Sequence, residues 1–165
     1  MSRDSPASPP PGSDVVRYEM VVSLIHSSCI ALDSEKFEEF LSLCVPEFRY
    51  KITAYSPEIR KEMTWMDHDY EGMEALLKMV PQHLRRLGNL LRHVSVGPIV
   101  IGEQSVKVTS TFQVIHTDLH GRSDLFVAGR YFDEIVAVHS DRLALKSRRV
   151  HLDTRDLGIG SHVPI

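Results

Sequence analysis

Apolar positions recur at two different periods along this chain, helical in its first third and strand-like over its last half. Tyr18, Val21, Val22, Ile25, Cys29 and Leu32 are spaced by three and four residues and predict an amphipathic helix, with Asp14 placed to cap it. A second helix is expected after Asp33 or Ser34 as cap, with Phe37, Phe40, Leu41 and Cys44 on one face and Pro46 as its stop. Over residues 48–55 the period becomes two. Phe48, Tyr50, Ile52 and Ala54 alternate with Arg49, Lys51 and Thr53, the pattern of a half-buried strand. Pro57 opens a loop or short turn, and residues 63–66 return as a strand. Residues 72–87 carry a helical stripe of Met73, Leu76, Leu77, Val80, Leu84 and Leu87, stopped at Gly88. Pro81 lies inside that stripe; an interior proline costs about 3 kcal/mol, so a kink or two short helices are expected.

The remainder reads as strand. Residues 92–101 form one, bent at Gly97-Pro98, and Glu103-Gln104 make a turn. Residues 105–116 form the next, with Val106, Val108, Phe112 and Val114 facing inward, and residues 117–123 form a loop containing Asp118 and Gly121. Residues 125–139 are apolar in both phases, which predicts cover on both faces. Ser140-Asp141-Arg142 turn the chain into a basic last strand, residues 143–153, carrying Lys146, Arg148 and Arg149. A hairpin this long cannot bury itself, so the upstream elements must complete its sheet and cover it. Helices segregated before a run of strands mean α+β. The expected architecture is a curved antiparallel sheet wrapped around the N-terminal helices, the cone-shaped roll of the NTF2-like or cystatin-like class, with a pocket between sheet and helices. Residues 1–13, with Pro6, Pro9, Pro10, Pro11 and Gly12, read as a disordered leader, and residues 14–165 as one domain.

Composition narrows the partners. A net charge of -3 with no basic run argues against nucleic acid. No apolar run reaches the roughly 18 residues of a membrane span, and no charged-then-apolar signal opens the chain, so a cytoplasmic location is expected. The two cysteines, Cys29 and Cys44, sit in apolar surroundings and read as buried free thiols.

Nine histidines raise the question of a metal. His116 and His120 are four apart but flank a strand end and a loop, where that spacing does not put them on one face. In Asp67-His68-Asp69, extended chain would let only the two carboxylates converge. With no Cys-x-x-Cys pair, a structural zinc or iron–sulfur site is excluded. For acid–base chemistry, a roll of this class could turn Tyr50, Asp67, His68 and His93 toward its cavity, as a free-standing dehydratase or isomerase would require. The plainer alternatives are hydrogen-bonded core or interface residues, or a ligand-binding roll without chemistry.

Four stretches carry a family resemblance: Tyr50-Lys51-Ile52, Arg92-His93, the block GRYFDEIV over residues 129–136, and RRVHLDT over residues 148–154, with a tail ending in Pro164-Ile165. Together they resemble the small (β) subunit of Rieske non-haem iron aromatic-ring-hydroxylating oxygenases. The resemblance implies a roll that trimerises and packs beneath a trimer of larger catalytic α subunits, an α3β3 hexamer. It places the Rieske [2Fe–2S] cluster and the mononuclear iron in the α subunit, with no cofactor in this chain. The family's cluster motif pairs Cys-x-His with Cys-x-x-His, whereas Cys29 precedes Ile30-Ala31 and Cys44 precedes Val45-Pro46. The two-histidine, one-aspartate iron pattern is also missing, with Gln113 three before His116, so no catalytic residue carries over. Residues 54–73 resemble the subset acting on small polar acids of salicylate or alkanesulfonate type.

The tail is expected to serve assembly. Arg148, Arg149, Asp153, Arg155 and Asp156 mix charges of both signs, and Leu157, Ile159, Val163 and Ile165 are apolar residues on a Gly-rich segment. Such a segment orders only when docked, and residues 148–165, with 157–165 as the tail, are assigned to holding a trimer together and docking the α subunit; the alternative is a tail that folds back over its own sheet.

Overall fold

The computed structural model describes residues 18–82, 86–139, 141–158 and 164–165. Helix α1 (Tyr18–Asp33) buries Val21, Leu24, Ile25, Ser28, Cys29 and Leu32, while Tyr18 remains exposed. Asp14 and the leader lie outside the described residues. Helix α2 (Phe37–Ser42) has Lys36 at its N-cap without a side-chain bond, so neither Asp33 nor Ser34 caps it. The chain turns between the helices at Glu35, whose φ of 54° is left-handed.

Strand β1 (Cys44–Ser56) begins earlier than its alternation implied. Cys44 pairs with Leu145 as strand, and Pro46 does not end a helix. It lies in a register break between Cys44 and Arg49, where a residue without an N–H costs the ladder nothing. β2 (Lys61–Asp69) returns antiparallel and runs into α3 (Tyr70–Met79). Asp69 caps that helix, its Oδ1 accepting from Gly72 N at 2.9 Å. Val80–Gln82 form one 3-10 turn around Pro81, and Leu87 is exposed beyond it.

β3 (Asn89–Ile101), β4 (Val106–Thr117), β5 (Ser123–His139) and β6 (Arg142–Leu152) complete one six-stranded sheet of order β2-β1-β6-β5-β4-β3. Gly97-Pro98 fall in a register shift between Val96 and Ile99, the expected bend. The sheet departs from the antiparallel expectation in one pair: β6 inserts between β5 and β1 and runs parallel to β1. β5 buries one face, through Val127, Tyr131, Asp133 and Ile135; its other face is half-buried under neighbouring side chains such as Arg149, not under a second layer. Helices α1 to α3 close the concave side, against which Phe48, Tyr50, Ile52 and Ala54 are buried.

Candidate functional site

Strand alternation puts an unusual set of polar residues on the concave face. Tyr50 lies opposite Arg148 and Arg148 opposite Asp133, a polar row across β1, β6 and β5, and in the neighbouring row Tyr131 of β5 lies opposite Ser110 of β4. Arg148 donates from Nε (2.8 Å) and Nη2 (2.9 Å) to the two oxygens of Asp133, both side chains being 0% exposed. Its guanidinium carbon stands 4.4 Å from the centre of the Tyr131 ring, which stacks on Phe112 at 4.1 Å. Burial pushes the Tyr50 and Tyr131 hydroxyls well above the ordinary tyrosine range, so both stay protonated. Burial also raises the Cys29 thiol and lifts Cys44 to about 12, which disfavours the thiolate at both. Among the described residues, Tyr131 Oη, Ser110 Oγ, Arg148 Nη1 and Arg92 Nε are buried without a hydrogen-bond partner.

A cavity of about 410 Å³ lies between the end of α1 and strands β3, β4 and β5. Leu32, Leu90, Val114 and Phe126 form apolar wall, and Arg92 and His116 are its buried polar residues. Asp33 Oδ2 accepts from the Arg92 backbone N at 2.9 Å, and its Oδ1 pairs with Arg92 Nη1. Arg92 Nη2 donates to Pro164 O at 2.6 Å. Tyr50 Oη donates to Ile165 O (2.7 Å) and accepts from Ile165 N (2.9 Å). The tail thus returns to its own concave face, where Ile165 is 2% exposed. His116 sets Nδ1 3.2 Å from Asp124 and Nε2 3.0 Å from Leu87 O, so both ring nitrogens are engaged. The bond from His116, with Arg86 beside it, holds the Asp124 carboxyl below the usual range. These groups are tied to one another, and none is left as a poised acid–base pair.

The SnoaL-like domain family matches residues 14–149. The β subunit of 2-aminobenzenesulfonate 2,3-dioxygenase from Alcaligenes sp. is 32% identical over 146 residues, covering 88% of this chain and 97% of that one. The hydroxylase β subunit of methanesulfonate monooxygenase from Methylosulfonomonas methylovora is 33% identical over 170 residues, covering 97% and 91%. The chain belongs to the SnoaL-like family, among the oxygenase β subunits. In fold it is similar to the β subunit of benzoate 1,2-dioxygenase from Burkholderia mallei, with a TM-score of 0.69 at 9% identity over 90% of this chain and 98% of that one.

In this β subunit the four acid–base candidates do not assemble. Tyr50 and His68 are register partners, but Asp67 lies in the opposite phase and is held by Arg49 through Nε at 3.1 Å and Nη2 at 3.0 Å. His93 is exposed on the outer face of β3, in the phase opposite Arg92. Asp67 and Asp69 do not converge on a metal, and among the described residues no group of three or more His, Cys, Asp or Glu does. The tail set divides. Arg148 is interior, and Leu157 and Ile165 are buried in the subunit's own core. Arg149 lies 4.0 Å over the Phe132 ring, Asp153 pairs with Arg130 at 3.2 Å, Arg155 with Glu58 at 2.7 Å, and Asp156 accepts from Gly158 N. Ile159 and Val163 lie outside the described residues. Asp33, Arg92, Tyr131 and Asp133 were missed as site residues, although Arg92 and Asp133 interrupt inward apolar phases and so carried a readable signal.

Proposed function

We propose that this β subunit is the supporting half of the terminal component of a multicomponent Rieske oxygenase and contributes no catalytic residue. Its concave face supports this reading best. Where a free-standing roll enzyme needs a free acid or base, the concave polar groups are engaged in the ion pairs Arg148–Asp133 and Arg92–Asp33 and in the bonds to the returning Pro164–Ile165. The residues of this chain do not fit the family's iron groups, since the cysteines are buried apart from any histidine pattern and the described residues hold no ligand cluster. The [2Fe–2S] cluster and mononuclear iron then belong to a larger α subunit, which performs the hydroxylation. Both relatives bear sulfonate names, 2-aminobenzenesulfonate and methanesulfonate, which supports an organosulfonate as the substrate of the complex. We further assign it a trimeric core, an α3β3 assembly and a cytoplasmic location. Among the described residues no helix is long and apolar enough to cross a membrane.

Affinity purification of the tagged chain from its native cells tests this. A larger brown partner should co-purify, with the spectrum of a Rieske cluster and sulfonate-dependent oxygen uptake when an electron donor is supplied. A chain that is isolated without such a partner and alone catalyses a dehydration or isomerisation would overturn the reading.

A further inference from the structure

Two arginines face the concave side, and they use the same guanidinium edge differently. Arg148 presents Nε and Nη2 side by side to both oxygens of Asp133, at 2.8 and 2.9 Å. Arg92 gives Nη1 to Asp33 and Nη2 to Pro164 O, while its Nε is buried without a partner among the described residues. Of the two donors that Arg148 uses together, Arg92 thus has Nη2 bonded and Nε free among the described residues. Such an edge matches two oxygens carried on one atom, as in a carboxylate or sulfonate, and a backbone carbonyl supplies only one. The following tail residue is held by the Tyr50 hydroxyl, which burial keeps protonated and which donates to Ile165 O. The adjoining cavity of about 410 Å³ has apolar wall at Leu32, Leu90, Val114 and Phe126. That is within the range of about 300–1,000 Å³ for small-molecule sites.

We propose that the Arg92 edge, the Tyr50 hydroxyl and this cavity form a binding site for a small organic acid, and that Pro164–Ile165 hold the seat in its absence. The acid group takes the Nε and Nη2 donors, supplying the partner that Nε lacks, and a compact apolar body fills the cavity. Asp33 stays on Nη1, so the charge of Arg92 is matched throughout, and selectivity comes from the paired oxygens and the apolar walls rather than from net charge. Pro164 and Ile165 compete for the same donors. They lower the apparent affinity by the fraction of molecules in which the seat is free. This site does not depend on the oxygenase reading, because every residue in it lies in this chain.

The test uses benzenesulfonate and benzoate as probes, titrated calorimetrically into the full chain and into a variant lacking residues 164 and 165. The shortened chain should bind at least one probe about tenfold or more tightly than the full chain. Arg92→Lys in the shortened chain should abolish that gain, because an ammonium cannot present a two-donor edge. In the full chain, saturating probe should speed hydrogen exchange at the Ile165 amide. The better of the two probes identifies the head group as sulfonate or carboxylate. A folded shortened chain that binds neither probe, or binds equally after Arg92→Lys, overturns the proposal. If the shortened chain does not fold, the exchange measurement decides alone, and an Ile165 amide whose protection is indifferent to both probes is the negative result.

Discussion

Replacing Arg148 by methionine removes a guanidinium from the interior and leaves Asp133, 0% exposed in its side chain, without a cation. Removing one member of a buried pair costs about 3–5 kcal/mol, because the remaining charge has lost its partner and has no water. The variant also loses the cation–π contact at 4.4 Å over Tyr131, which a methionine thioether only partly replaces. In a chain of this size each kcal/mol moves the melting point by about 2–4 °C, so Arg148→Met should lower it by roughly 6–20 °C. The double variant Arg148→Met/Asp133→Leu separates the pair from the position. With no charge left inside, it should regain most of the loss, since apolar replacement of a buried pair is often neutral or stabilising by about 1–4 kcal/mol. Circular-dichroism melts and urea midpoints, taken at one fixed protein concentration so that association cannot shift them, provide the comparison. A single variant within about 1 kcal/mol of the parent, or a double variant no better than the single one, would refute the reasoning.

Three further outcomes are expected. Tyr50→Phe leaves both the N–H and the oxygen of Ile165 without their buried partner, which should cost about 1–3 kcal/mol and accelerate exchange of that amide; unchanged exchange would show that the tail is not held there. Arg155 and Ser56 hold the Glu58 carboxyl at about 2 instead of the ordinary 4.5, so its stabilising effect is complete above 4.5 and is lost as pH falls toward 2. The stability gap between the parent and Glu58→Gln should therefore be flat near neutrality and close over that acid window, and a gap that widens on acidification contradicts the pairing. Gly129→Ala would put a methyl 2.2 Å from His151 O on β6; the strands must part, at a cost of about 1–3 kcal/mol measurable in the same melts.

What could be read from the sequence was what is local. The alternation from Phe48 to Ala54 and the bend at Gly97-Pro98 depend on neighbouring residues, and both appear as expected. Cys44 and Pro46 misled because a short apolar stretch before a proline suits a helix end and a broken strand equally well. Arg148 read as an assembly residue because it is charged, yet Val150 and Leu152 share its phase and are buried, so period alone placed it inside. The partners of the inward polar residues were beyond reach, since Arg92 finds Asp33 across 59 positions and Tyr50 finds Ile165 across 115. An inward phase shows that a polar group is buried, not which group answers it.

The insertion of β6 between β5 and β1 also sets an order of events during synthesis. Before Arg142–Leu152 leaves the ribosome, the chain can form two separate pieces, the β1–β2 hairpin and the β3-β4-β5 meander, each with a row of open backbone groups along one side. Within the sheet only the last strand joins them, through its most sequence-distant strand pairing, a slow kind of step. Nascent β1 and β5 therefore wait with exposed edges that a second nascent chain could pair with just as well. This predicts that stalled or shortened products ending before Arg142 aggregate instead of persisting as partly folded monomers, and that yield in recombinant expression depends on how quickly β6 is delivered.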